Sequence, residues 1–243
     1  MTTERREALI LIAGGVLGSV LVFPYILATT TLPAGISRET FIGAQLAQNV
    51  ILVSVAVIVG LWCARRVGLG APILEGWLRG EPVGARLRSV LPLAVGLGAA
   101  SAVLILALEA TVFRGVIPVD SGLAAPPAWT GFLASFYGGI TEEILLRLLL
   151  MSLLAWVLIR AMPRDAALWT AILVSTVLFG LGHLPATAQL VPLTAVVVTR
   201  AVVLNGVAGV AFGWLYWKRG LESAMIAHFA ADLVLHVAVP AFA

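Results

Sequence analysis

Seven stretches of this chain are apolar enough, and long enough, to cross a bilayer: about 8–31, 41–63, 89–113, 129–159, 166–184, 192–217 and 221–241. A helix rises ~1.5 Å per residue, so about 20 apolar residues span a hydrocarbon core of about 30 Å. In that medium each segment has to satisfy its own backbone N–H and C=O groups, which selects helices. The chain is therefore predicted to be an all-α polytopic membrane protein of about seven transmembrane helices, within a range of six to eight. Composition agrees, since only 11% of the residues are charged and 61% are hydrophobic, where a soluble domain carries roughly 25% charged residues.

The breaks between spans carry turn chemistry: Pro33 and Gly35, Gly68 and Gly70, Pro126 and Pro127, Pro163, Pro185, and Gly220. The first apolar run exceeds the 7–15 residues of a signal-peptide core, so a retained span is expected. A cytoplasmic N-terminus places Arg5, Arg6, Arg65, Arg66, Arg79, Arg86, Arg88, Arg160, Arg164, Lys218 and Arg219 inside. Only Arg38 and Arg114 then fall outside, a strong positive-inside bias. These topology signals account for the net charge of +3. No Lys/Arg cluster with interleaved aromatics marks a nucleic-acid surface. In the 64–88 loop, Ile73, Leu74, Trp77 and Leu78 can line one face of an interfacial helix. Gly209 and Gly213 form a small-xxx-small pair suited to close helix packing. The single cysteine, Cys63, excludes an internal disulfide and reads as a small hydrophobe. A Pro/Gly-rich connection around 115–128 divides the chain into N-terminal helices with a cytoplasmic loop (1–125) and a charge-bearing core (126–243).

The charges of that core are the candidate chemistry. Ionisable groups at membrane depth cost about 2.5–3.5 kcal/mol each on insertion scales, so they rarely lack a use. Glu142 and Glu143 are adjacent, pointing roughly 100° apart on a helix, and cannot both face one cavity squarely. Arg147 follows Glu143 at the i, i+4 spacing where side chains meet. The economical reading is a structural ion pair Glu143–Arg147, with Glu142 left free as a general base. His183 ends the fifth span, and Gly180 and Gly182 remove bulk beside its imidazole. His228 and Asp232 share a helix face, where the carboxylate can fix the ring tautomer. His236 continues that stripe and reads as structural. Glu109 and Arg200 can each snorkel or pair internally. There is no His-Glu-x-x-His, Gly-x-Ser-x-Gly, Gly-Xaa-Gly-Asp or P-loop.

Glu142-Glu143-x-x-x-Arg147, Phe179-x-x-x-His183 and His228-x-x-x-Asp232, in this order on three apolar helices, resemble one family. It is the CPBP family of CAAX prenyl endopeptidases and bacteriocin-processing enzymes, also called type II CAAX proteases, and the resemblance covers about residues 128–236. It implies an intramembrane endopeptidase with its site inside the helix bundle. Glu142 and His183 would hold and activate the attacking water, and His228 and Asp232 would stabilise the tetrahedral oxyanion. An ionised Asp232 accepts hydrogen bonds only, so it is either protonated or orients His228 while another group donates. Members are described both as metalloproteases and as metal-free glutamate-dependent proteases. If the enzyme is zinc-dependent, Glu142, His183 and His228 are the ligands, with water as the fourth; otherwise there is no cofactor. The implied partners are the lipid bilayer and a membrane-associated peptide or protein substrate, with no nucleic acid. The expected setting is a bacterial or archaeal plasma membrane.

Two other readings use the same residues. A proton-coupled transporter would run a Glu/His/Arg relay, but no internal repeat or matching pair of broken helices accompanies it. A catalytically inactive scaffold or immunity protein would keep the fold and lose the reaction. Counting residues from the cytoplasmic ends puts Glu142 and His183 about 26 Å deep but His228 only about 12 Å. A shared site therefore requires a tilted last helix, or one whose start is sunk into the protein as Gly220 permits.

Overall fold

The computed structural model describes residues 1–32, 34–117 and 126–242, among which helices are the only regular elements. They are α1 (Thr3–Leu21), α2 (Phe23–Thr29), α3 (Arg38–Val67), α4 (Pro72–Leu78), α5 (Gly84–Thr111), α6 (Ala128–Phe136), α7 (Ser152–Leu158), α8 (Arg164–Gly182), α9 (Leu184–Thr187), α10 (Ala195–Arg219), α11 (Leu221–Asp232) and α12 (Val239–Phe242). Three π-helical segments complete them: π1 (Tyr137–Glu142), π2 (Ile144–Met151) and π3 (Leu233–Ala238). Six helical stretches are long and apolar enough to cross a membrane: Thr3–Thr29, Arg38–Val67, Gly84–Thr111, Arg164–Thr187, Ala195–Arg219 and Leu221–Ala241. Another helical rod, carrying Glu142, Glu143 and Arg147, runs unbroken from Ala128 to Leu158 through α6, π1, π2 and α7. The chain is an integral, polytopic membrane protein. Pro33 and residues 118–125, where turns and a domain border were expected, lie outside the described residues.

The burial pattern is that of a protein solvated by lipid. Ile51, Ile58 and Val103 are more than 60% exposed on outward faces, an arrangement water would penalise and acyl chains do not. The interior is built from small residues that let helices approach. A Cβ on Gly209 would lie 2.7 Å from Thr176, and one on Gly213 would lie 3.0 Å from Ile172, so α10 closes on α8 through the predicted glycine pair. One core joins α3 (Val53, Ala56, Leu61) to the charged rod (Ile144, Leu148, Met151).

Most of the basic residues collect at one end of this bundle. Arg65 of α3 grips Glu4 at 2.9 Å and the buried Glu7 at 2.6 Å on α1. Arg164 donates to the Val67 carbonyl at 2.9 Å, bringing the start of α8 to the same end. α4 forms where the loop was predicted to fold as an interfacial helix, with Trp77 exposed. It is capped from α11: Glu222 Oε1 accepts from the Ile73 and Leu74 N–H groups at 2.9 and 2.7 Å, and Leu221 N–H donates to the Gly70 carbonyl just before α4 at 3.0 Å. Gly220, at φ +103°, turns the chain beneath Pro72. Leu221, Ser223 and Ala224 are consequently fully buried, so α11 starts inside the protein. This buried start is the arrangement that Gly220 was expected to permit, and His228 stands beside Glu142, Nε2 to Oε2 at 3.5 Å.

Candidate active site

The two adjacent glutamates meet the same imidazole. Glu143 Oε1 lies 2.8 Å from His228 Nδ1, and Glu142 Oε2 lies 3.5 Å from His228 Nε2. The expectation that they diverge holds for their surroundings and fails for their partner, because His228 sits between them and offers a nitrogen to each. Glu143 is fully buried, whereas 21% of the Glu142 side chain is exposed. This part of the rod is π-helical, a geometry that recurs at functional sites.

Glu143 and Arg147 form the predicted ion pair, Nε to Oε2 at 3.3 Å, with side chains 0% and 1% exposed. Arg147 Nη2 also donates to the Gly209 carbonyl at 3.2 Å. Its guanidinium lies 5.8 Å from the Phe179 ring and 5.7 Å from the Phe212 ring. Glu143 makes a second contact, with His228. An ionised carboxylate only accepts hydrogen bonds, so Nδ1 of His228 carries a proton and donates it to Glu143. That orienting contact had been expected from Asp232. Asp232 Oδ1 stands 3.8 Å from His228 Nε2 and 3.9 Å from His236 Nε2, outside hydrogen-bond range. The i, i+4 spacing does put Asp232 beside His228, but against the ring edge opposite Nδ1.

His183 caps α8 with Nδ1 2.9 Å from the Phe179 carbonyl. A carbonyl only accepts, so Nδ1 is the donor, and in the neutral ring Nε2 keeps its lone pair. The Phe179 ring stands edge-on to both imidazoles, with centroids 4.6 Å from His183 and 6.0 Å from His228. Gly180 admits α10, since a Cβ there would lie 2.7 Å from the Val202 Cα, while Gly182 faces open space.

Glu142, His183, His228 and Asp232 line one cavity of about 630 Å³, together with His236, Glu109 and Arg200. Glu109 and Arg200 pair with each other, Nε to Oε2 at 2.8 Å. Tyr137 and Gly138, which belong to none of the three motifs, also line it. A Cβ on Gly138 would collide with Asp232 Oδ2 and come within 3.0 Å of His228 Nε2. The Gly138-Gly139 doublet one turn before Glu142 was the available signal. Among the described residues, no three His, Cys, Asp or Glu side chains are gathered closely enough to hold a metal ion. Glu142, His183 and His228 share the cavity walls.

No curated protein and no solved structure matches the chain. Residues 124–234 match the family described as Type II CAAX prenyl endopeptidase Rce1-like. That segment contains every residue of the cluster from Glu142 to Asp232 and ends just before His236. Over residues 124–234 this membrane protein is accordingly similar to the CPBP family of CAAX-type intramembrane proteases.

Proposed function

We propose that the protein is an intramembrane endopeptidase in which Glu142 and His183 activate a water and His228 stabilises the oxyanion. The observation that carries this reading is the meeting of Glu142, His183, His228 and Asp232 on one cavity. Peptide hydrolysis needs a base for the water and a donor for the charge that develops on the carbonyl oxygen. Glu142 is a partly exposed carboxylate on the cavity wall, and the Nε2 lone pair of His183 offers a second acceptor. Water loses a proton to this pair as its oxygen bonds to the carbonyl carbon. The proton passes to the departing amine as the C–N bond breaks.

His228, held through Nδ1–H by Glu143, presents Nε2 to the cavity. Protonated there, it donates to the oxyanion. Glu143 is a positioning residue in this scheme, and Arg147 balances its charge. Asp232 has no hydrogen-bonded histidine, and its carboxyl in protonated form gives the oxyanion a second donor. The walls formed by Val22, Ile26, Ile105, Leu106 and Leu204 suit apolar side chains flanking the scissile bond, as in a membrane-associated peptide or protein tail. Incubating the reconstituted protein with a peptide library in ¹⁸O-labelled water tests this. The expected result is product peptides carrying one ¹⁸O at each new carboxyl terminus; an unchanged library refutes the reading.

A further inference from the structure

A second recess shares no lining residue with the cavity of Glu142 and has a volume of about 330 Å³, enough for a small polar ligand, since such pockets run from about 300 to 1,000 Å³. Four of the six membrane-crossing stretches meet at it. Arg38–Val67 ends and Gly84–Thr111 begins beside it, and Ala195–Arg219 passes to Leu221–Ala241 through Gly220 on its wall. The recess therefore stands at the level where hydrocarbon gives way to headgroups. The aromatic side chains there agree. Lys218 Nζ lies 3.4 Å from the centre of the Trp217 ring, and Trp217 meets the exposed Trp169 edge-on at 5.8 Å, as amphipathic side chains do at a membrane interface.

Arg86, Lys218 and Arg219 line the recess, and all three are exposed. Neighbouring cations are already engaged: Arg65 by Glu4 and Glu7, Arg79 by Glu81, and Arg164 by the Val67 carbonyl. Among the described residues, Arg86, Lys218 and Arg219 enter no ion pair. Glu75, the acidic residue on the wall, accepts from the Ala71 N–H and faces Arg79 at 3.7 Å, and Glu222, just past Gly220, is taken up by the N–H groups of Ile73 and Leu74. Gly68, Gly70 and Gly220 leave bare backbone on the wall beside these charges. We propose that this recess binds a phosphate group, supplied by the headgroup of an anionic phospholipid. The guanidinium forks of Arg86 and Arg219 match phosphate oxygens with paired N–H donors, and Lys218 adds a point charge. Position decides between a lipid and a soluble phosphate, because headgroups are the anions that crowd this level of a bilayer. The site is independent of the protease reading.

Native mass spectrometry of the full-length protein, released from nanodiscs of phosphatidylglycerol and phosphatidylcholine in equal parts, counts the lipids it retains. Wild type is expected to retain phosphatidylglycerol in preference to phosphatidylcholine. Each charge removed should weaken that retention about fivefold, so Arg219→Gln alone is expected to show that loss and Arg86→Gln/Lys218→Gln/Arg219→Gln a far larger one. The matched variant Arg5→Gln/Arg6→Gln/Arg66→Gln removes the same charge from exposed positions outside the recess and is expected to behave as wild type. Equal losses in the two triple variants, or no preference in wild type, overturn the proposal. If the recess triple is misfolded by circular dichroism, the single exposed Arg219→Gln decides. Inorganic phosphate titrated calorimetrically into protein in phosphatidylcholine nanodiscs separates the two sources of the anion. No saturable heat is expected; saturable binding that Arg219→Gln abolishes, in a protein without phosphatidylglycerol preference, overturns the lipid source.

Discussion

Replacing the Glu143–Arg147 pair separates what it does for stability from what it does for His228. Arg147 is 1% exposed and Glu143 fully buried, so Arg147→Ala leaves a buried carboxylate without its cation, a loss of about 3–5 kcal/mol. The double variant Glu143→Leu/Arg147→Met removes both charges and keeps the volume. Swaps of this kind are often neutral or stabilising by about 1–4 kcal/mol. The gain is plausible in size because Arg147 Nε and Nη1 have no well-formed hydrogen bond. Against it stands His228 Nδ1, which loses its acceptor at 2.8 Å, a cost of about 1–3 kcal/mol. The double variant is thus expected within about 3 kcal/mol of wild type, and well above Arg147→Ala. Its activity should nevertheless fall about 10–100-fold, the usual effect of removing a partner that orients a working histidine. Unfolding in mixed micelles, followed by tryptophan fluorescence, reads the first quantity, and kcat/KM on a quenched fluorescent peptide reads the second. Wild-type turnover in a folded double variant would refute the positioning role of Glu143. A double variant as unstable as Arg147→Ala would refute the electrostatic account of the pair.

Gly138→Ala pushes a methyl group into Asp232 and His228; a destabilisation of about 1–3 kcal/mol by overpacking is expected, with a loss of cleavage exceeding it, measured on the same two assays. Gly220→Ala meets both the positive φ and Pro72, and should lower the thermal midpoint while leaving kcat of the surviving folded fraction unchanged. The purified protein is expected to carry substoichiometric zinc by elemental analysis and to keep its activity after chelation. Stoichiometric zinc whose removal abolishes cleavage would contradict the arrangement of Glu142, His183 and His228 described here.

Much of the fold was legible because its causes are local. Apolar length locates spans, Gly68 and Gly220 locate helix ends, and Gly209 and Gly213 locate a helix contact. The Glu143–Arg147 pair was readable for the same reason, both partners lying on one helix. What escaped was tertiary. The Glu143–His228 contact joins residues 85 positions apart, and no spacing on either helix announces it. Asp232 was given that contact because i, i+4 geometry is visible in a sequence and ring orientation is not. The sunken start of α11 depends on Glu222 capping α4 from a distant part of the chain, and the Glu109–Arg200 pair likewise bridges two helices. The π-helical turns around Glu142 have no composition signature at all.

The central claim is that Glu142 activates the water that cleaves a peptide bond. Its most direct measurement is the cleavage rate of Glu142→Gln against wild type in reconstituted bilayers, at matched folding by circular dichroism. The amide keeps the size of the carboxylate and cannot take the proton, so the account expects a fall of about 10²–10⁴-fold in kcat with little change in stability. Near-wild-type turnover by Glu142→Gln would contradict it.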